Sequence, residues 1–473
     1  LIEEVGTVPS ERYAHQPEIF AHCQAFGRTF DLYRRALMHT RVTDARWDEA
    51  ASRWILETDR GDELRARFVI LASGHYREPK LPGIPGMETF KGRSFHTSRW
   101  DYDYTGGAPG EPMVNLRDKV VAIVGTGATG VQCVPEVAKD AKHLYVIQRT
   151  PSSVGVRDNG PTDLDWFKSQ KPGWQTERMV NFVEGYRGLA QEDLIQDGWS
   201  QMVRRMRPRV KAGMTMEEIG ELMQMVDYEI MEDVRKRAEA VVRDRRTAEA
   251  LKPWYNWMCK RPCFHDEYLD AFNRDNVTLV DTEGRGVDRI SEHSIFVNGE
   301  EIEVDLVVFA TGFELSPFED GSPIPVTGRA GRTLAEKWKD GATTLHGQHV
   351  HGFPNFFLST TRQGSWDNNF TYPLDVTATH LAKLIRQALD DGIDTIDVAE
   401  DTEAEWVRFH EEKGAPVQAR WAECTPSYFN REGHVDQRIV RNGTFGGSIM
   451  ELRDILAKWR EDGMPGATIT KQG

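Results

Sequence analysis

Several things that would narrow the role of this chain at once are missing from it. No apolar run is long enough to cross a bilayer as a helix, and the opening Leu1-Ile-Glu-Glu is not a signal peptide. Basic residues are outnumbered, 59 Lys and Arg against 74 Asp and Glu, for a net charge of −15. No basic stripe dominates the chain, so neither a nucleic-acid partner nor an anionic membrane surface is expected. Cysteine is scarce. Cys23, Cys133, Cys259, Cys263 and Cys424 are scattered and odd in number, and the close pair Cys259/Cys263 has no second Cys or His cluster to complete a zinc site. A metal is therefore not expected, and reduced thiols in a cytoplasmic protein are. What is present is an ordinary globular composition, 39% hydrophobic, spread over 473 residues. That is too long for one core and suits two or three domains.

The most informative stretch is Lys119 to Gly130. Lys119 to Val124 is a near-continuous β-branched run, as expected of a parallel strand buried on both faces. Gly125-Thr126-Gly127-Ala128-Thr129-Gly130 follows at once, and Val131 to Ala141, with Gln132 in its first turn, has a helical pattern. Strand, G-x-G-x-x-G and helix in that order form a dinucleotide fingerprint. The first glycine makes the turn, the second lets backbone amides approach a pyrophosphate, and the third packs helix on strand. The next strand, Leu144 to Gln148, ends at Arg149-Thr150, where an NAD-specific fold would carry Asp or Glu for the ribose hydroxyl. A guanidinium there grips a 2′-phosphate in a two-pronged fork, which points to NADP(H) rather than NAD(H).

Just before this block stands Phe90-Lys-Gly92-Arg-Ser-Phe-His96-Thr-Ser-Arg-Trp100-Asp101. The pattern F-x-G-x-x-x-H-x-x-x-W-D, so placed, resembles the signature of the type I Baeyer–Villiger flavin monooxygenases. With the supporting blocks below, the resemblance covers nearly the whole chain. It implies an α/β protein with two Rossmann-like dinucleotide-binding domains and a helical insertion. It also implies FAD and NADP(H) as cofactors, with a ketone and O2 as substrates. Residues 1–82 are then expected to be the remainder of the FAD domain, 83–150 and 257–309 the two parts of the NADP domain, 151–256 the insertion, and 310–473 the C-terminal part of the FAD domain.

Two further strands fit that scheme. Ala66 to Gly74 and Gly299 to Phe313 read as strands that end in Ala-Ser-Gly or Ala-Thr-Gly, small residues that let the backbone pass close to a nucleotide. On the resemblance, Val42, Ser73, Gly74, Thr311, Gly312 and Phe313 contact FAD. A stiff Pro79 to Gly86 connector leads to the signature. The family also carries an earlier strand–GxGxxG–helix block for the FAD pyrophosphate, and none is found in this sequence. The expectation is a family member lacking its first hundred or so residues, through numbering or truncation. Pro151 to Trp254 is rich in Arg, Glu and Met and has long helical runs such as Met216 to Arg246. Met214, Met216, Met223 and Met225 fit helix core better than a soft substrate pocket. Arg204, Arg205, Arg207 and Arg209 are expected to be solvated.

The resemblance assigns roles to single residues. Arg261 becomes the active-site arginine, Lys260 a contact to the 2′-phosphate, and Trp421 part of a loop that closes over nicotinamide. The form of that loop points weakly to the branch taking large cyclic ketones. The implied reaction is NADPH reduction of FAD, uptake of O2 as a C4a-peroxide, attack on the carbonyl, and migration of carbon to oxygen to give an ester or lactone. Arg261 would keep the peroxide anionic, since a guanidinium does not lose its charge at working pH. His96 would act indirectly, coupling NADP binding to domain rotation. Two other readings stay open at this point: a flavin enzyme oxidising sulfur or nitrogen, and a flavin-free NADP-binding fragment. Oligomeric state is not legible.

Overall fold

A computed structural model describes residues 2–74, 76–314, 322–364, 366–433 and 438–471. The chain divides into two compact units: Leu1–Arg35 with Glu78–Phe313, and Ala36–Arg77 with Glu314–Gly473.

The first unit is built on a five-stranded parallel sheet. Its strands are β1 (Arg93–His96), β2 (Val120–Val124), β3 (His143–Gln148), β6 (Val277–Asp281) and β7 (Leu306–Phe309). The spatial order is β6–β3–β2–β7–β1. From β2 the chain runs outward through β3 to β6 and then returns to β7 on the other side of β2, so the order reverses between β2 and β7. In open α/β sheets ligands bind at such a switch point, outside the carboxyl ends of the strands. Val121 and Ile123 face a core shared with Val131, Val134 and Val137 of the helix α1 (Ala128–Asp140). Ala122 and Val124 face a second core with Ile84, Ile295 and Val297, which lie on the connector and on a three-stranded antiparallel sheet. Both faces are covered, and that accounts for the unbroken apolar run in β2.

The insertion leaves this sheet through the two-residue strand β4 (Val154–Gly155) and returns through β5 (Cys263–Phe264), paired in parallel as Val154↔Cys263 and Gly155↔Phe264. Its long helix, α2 (Met216–Val241), opens on a capping box of Thr215 and Glu218. The helix buries Leu222, Val226, Ile230 and Met231 against Trp257. Met214 packs on this cluster, but Met216 and Met225 are 81% and 55% exposed, so the methionines are only partly core. The arginine knot is solvated as expected, with Arg204, Arg207 and Arg209 exposed, and it is also paired. Arg204 pairs with Asp193 at 3.0 Å, Arg205 with Asp233 at 2.7 Å and Arg209 with Glu229 at 2.7 Å, while Arg207 donates to the Gln191 carbonyl at 2.7 Å. The carboxylates lie on other elements of the insertion, where spacing along the chain does not reveal them.

Residues 1–35 group with this first unit, whereas 36–77 group with the second. The stretch expected to be one remnant domain is thus divided. Hydrogen bonds hold the early part to the insertion: Arg12 N to the Gly160 carbonyl at 2.9 Å, Gly173 N to Glu3 at 2.7 Å, and the Tyr13 hydroxyl to Asp197 at 2.5 Å.

The second unit carries a four-stranded sheet in the order Val326–Thr327, Val42–Asp48, Arg53–Thr58, Glu63–Ala66. A two-stranded parallel sheet pairs Val69–Leu71 with Phe356–Leu358. Trp47, Trp54, Trp338, Phe353 and Phe356 share its core. Lys337 and Glu403 form an ion pair at 2.7 Å, each side chain 4% exposed. Cys23, Cys133 and Cys263 are free thiols. Neither Cys259 nor Cys424 is a free thiol, which departs from the expectation of reduced thiols throughout.

Candidate active site

The glycine loop lies at the switch point. Gly125 has φ +106° at the end of β2, and a side chain there would meet the Ala310 carbonyl oxygen at 2.7 Å. A side chain on Gly130 would stand 2.3 Å from the Gly125 oxygen, so α1 sits directly against the turn. Gly127 is the N-cap of α1. It offers no capping side chain, and a Cβ there would meet nothing within 4 Å. Uncapped amides with their partial positive charge therefore face open space, and Ala128 and Thr129 form the first helical residues. That cradle fits a dinucleotide pyrophosphate. Gln132 is exposed on α1 and turns its Nε2 back to the Ala128 carbonyl at 2.9 Å.

The loop after β3 is tied to the same turn. The Thr126 hydroxyl donates to the Thr150 carbonyl at 3.0 Å, and the Ser152 hydroxyl to the Thr126 carbonyl at 2.5 Å. Arg149 is exposed at the end of β3. The Tyr255 hydroxyl donates to the Pro151 carbonyl at 2.9 Å and accepts from Ser153 N at 3.0 Å. The Lys260 ammonium lies 5.7 Å from the centre of the Tyr255 ring. Arg261 follows, exposed, in the extended link between the Trp257–Cys259 turn and β5. Arg237 of α2 clamps this region, donating to the Val154 carbonyl at 2.9 Å and the His265 carbonyl at 2.9 Å. The structure thus gathers Gly125–Gly130, Arg149, Thr150, Lys260 and Arg261 within one unit.

The signature residues brace the β1 edge. A side chain on Gly92 would strike the Phe90 ring at 2.5 Å and the Asp305 carbonyl oxygen at 2.7 Å. Trp100 packs edge-on to Phe95 at 5.2 Å and donates to Thr105 at 3.1 Å. Asp101 caps the next turn through Tyr104 N at 3.0 Å and pairs with Arg93. His96 is 5% exposed at the end of β1. Its Nδ1 meets the Ser98 hydroxyl at 2.8 Å, and its ring stands edge-on to Phe313 at 5.4 Å. Burial moves its pKa below the ordinary imidazole value, outweighing the Gly312 backbone, which pulls the other way. The imidazole is therefore neutral near pH 7 and props the Thr311–Phe313 turn. The Thr311 hydroxyl also donates to the Lys80 carbonyl at 2.5 Å, fastening this turn to the connector.

The remaining expected flavin contacts lie in the second unit. Val42 begins the strand Val42–Asp48, and Ser73 and Gly74 are exposed just after Val69–Leu71. A Cβ on Gly74 would meet nothing within 4 Å, so this turn leaves room for a group such as FAD, and in the first unit a Cβ on Gly312 likewise meets nothing. Trp421 falls near the end of the helix Glu400–Ala422, and its side chain lies outside the described residues. The sequence marks neither Tyr255 nor Ser152, and Arg237 reads there only as a charge on a helical face. Their contacts run to residues 26 to 104 positions away, and no local pattern marks them.

Residues 9–164 match the family model described as flavin-binding monooxygenase-like. The chain is 46% identical over 470 residues to a Baeyer-Villiger monooxygenase of Stachybotrys chlorohalonatus, covering 98% of this chain and 75% of that protein. Among solved structures it is similar to the polycyclic ketone monooxygenase of Thermothelomyces thermophila, with a TM-score of 0.91 and 38% identity over 100% of this chain and 80% of the other. It is also similar to a steroid monooxygenase solved with NADP bound, with a TM-score of 0.79 and 28% identity over 99% and 87% of the two chains. Among the described residues no helix is long and apolar enough to cross a membrane, and no cluster suits a metal ion.

Proposed function

The chain belongs to the type I Baeyer–Villiger flavin monooxygenases, and from that premise we propose which of its residues carry each part of the reaction. It is an FAD- and NADPH-dependent enzyme that inserts one atom of O2 beside a ketone carbonyl to give an ester or lactone. FAD, when bound, accepts hydride from NADPH and activates O2.

The observation that carries our residue assignments is the uncapped α1 amino terminus at the switch point, with Arg149 closing the next strand. Gly125 to Gly130 bind the NADP pyrophosphate through backbone amides, with Gln132 one turn along the helix. Arg149, Thr150 and Lys260 take the 2′-phosphate, because a dianion is best held by two cations of fixed geometry. Arg261 supplies a permanent positive charge to the substrate oxygen on which negative charge develops as the carbonyl is attacked. A preorganised donor of this kind is worth about 10²- to 10³-fold in rate. His96 is a positioning residue: neutral and buried, it holds the Thr311–Phe313 turn rather than moving a proton. In the second unit we assign Val42, Ser73 and Gly74 as FAD contacts, and in the first the Thr311–Phe313 turn is read as a flavin contact in the same way.

We assign a bulky, polycyclic ketone as the substrate class and the cytoplasm, where NADPH is regenerated, as the compartment. The test is product analysis by gas chromatography on the flavin-loaded protein, with a polycyclic ketone, cyclohexanone and an aryl sulfide. The expected result is a lactone from the polycyclic ketone at the highest rate. A sulfoxide with no ester or lactone from any ketone would favour heteroatom oxidation instead.

A further inference from the structure

The loop that carries Arg149 and the segment that carries Lys260 meet on one side chain. Residues 149–153 leave β3 without secondary structure of their own, and two of their fastenings come from the glycine turn, through Thr126 and Ser152. A backbone bond from Cys263 N to the Ser153 carbonyl at 2.9 Å holds its far end, and a further fastening comes from a side chain far along the chain. The Tyr255 hydroxyl donates to the Pro151 carbonyl at 2.9 Å and accepts from Ser153 N at 3.0 Å, so it spans the loop. The other face of the same residue serves Lys260, whose ammonium lies 5.7 Å from the ring centre, within reach of the ring's negative face. Arg and Lys side chains each lose considerable rotamer freedom when fixed, so a pair of cations binds one dianion well only if their bases are already set.

We propose that Tyr255 is a specificity-determining positioning residue, whose hydroxyl fixes the Arg149 loop and whose ring seats Lys260 so that both cations converge on one phosphate monoester. The proposal rests on the reading of Arg149 and Lys260 as the 2′-phosphate site. Tyr255 itself does not touch the ligand. Its effect is therefore confined to ligands bearing that phosphate and absent from those lacking it.

The experiment is calorimetric titration of the full chain with adenosine 2′,5′-bisphosphate and, by displacement, with adenosine 5′-monophosphate. Tyr255→Phe keeps the ring and loses both hydroxyl bonds. It should weaken bisphosphate binding about 5- to 10-fold, with the monophosphate unchanged within about 2-fold. Tyr255→Leu also loses the seat for Lys260 and should weaken the bisphosphate further, by about another 3-fold. Arg149→Ala and Lys260→Ala are titrated in parallel. If both keep the full preference for the bisphosphate, the phosphate-site reading fails, whatever Tyr255 does. If they lose it while Tyr255→Phe keeps it, the role given to Tyr255 is overturned. Equal loss of both ligands in Tyr255→Phe also overturns it, since that is the mark of general disruption. Should Tyr255→Phe melt early, Ser152→Ala loosens the same loop from another of its fastenings. A selective loss of bisphosphate there supports the proposal, and an unchanged preference overturns it.

Discussion

Two of the three loop glycines should fail for opposite reasons, and the contrast separates a ligand cradle from a packing contact. At Gly127 the backbone is extended, with φ −71° and ψ −170°, which any L-residue adopts, and a Cβ would meet nothing within 4 Å. Gly127→Ala should therefore cost the fold only about half a kcal/mol, the difference between glycine and alanine at an N-cap. The new methyl would, however, occupy the space through which a pyrophosphate reaches the uncapped amides. Losing one charge-assisted hydrogen bond, worth about 1.5–3 kcal/mol, lowers NADP+ affinity about 10- to 100-fold. At Gly130 the added carbon would lie 2.3 Å from the Gly125 oxygen, and that atom is backbone that cannot swing aside. Gly130→Ala should destabilise the first unit by about 1–3 kcal/mol, in the range of overpacked cores. Thermal unfolding with and without NADP+, together with calorimetric titration, reads both effects. Gly127→Ala binding NADP+ as tightly as the parent would refute the assignment of this space to the pyrophosphate.

Three other outcomes are expected. Arg149→Ala should erode the preference for NADPH over NADH in steady-state assays by about 10-fold or more, from loss of a charge-assisted pair; unchanged selectivity would count against the 2′-phosphate site. Lys337→Met should destabilise by about 3–5 kcal/mol, because it strands the buried Glu403 carboxylate without its cation; a loss under about 1 kcal/mol in denaturant titration would contradict this. His346 and His349 are pushed down to about 3 by burial, and His380 to about 2 by burial and then by His349 and the adjacent Arg460. The folded chain does not take up these protons, whereas the unfolded chain does below about pH 6.5. Stability is thus complete above that value and falls as pH drops below it, by up to about 1.4 kcal/mol per pH unit for each histidine. A melting temperature that is flat from pH 7.5 to 5.5 would refute it.

The parts of the fold legible in the sequence are those with a local signal. β2, the glycine loop and α1 stand out because burial on both faces forces an unbroken apolar run, and the turn forces glycine. Arg149 was legible because its register after β3 is fixed by the fingerprint. Contacts between distant segments were not. Residues 1–35 join the insertion through side chains such as Glu3 and Tyr13, and their helix Gln16–Thr29 buries little besides Gly27. The pairing of the solvated Arg204, Arg205 and Arg209 was not legible, because their carboxylate partners, Asp193, Asp233 and Glu229, lie 11 to 28 residues away. In the signature, Gly92, Trp100 and Asp101 turn out to brace the edge strand, a role that residue type alone does not disclose. Tyr255 was invisible for the same reason: a single tyrosine outside any motif acquires meaning only once Pro151, Ser153 and Lys260 are seen around it.

Arg261 bears the heaviest claim, that one guanidinium serves the oxygen-insertion step and not the delivery of hydride. Its most direct test is Arg261→Ala measured in two halves: anaerobic reduction of bound FAD by NADPH, and ester or lactone yield per NADPH consumed in air. The expected result is reduction within a few-fold of the parent and oxygenated product down about 10²-fold or more, with NADPH oxidation running uncoupled. A variant that still converts ketone with the parent's yield would contradict the account.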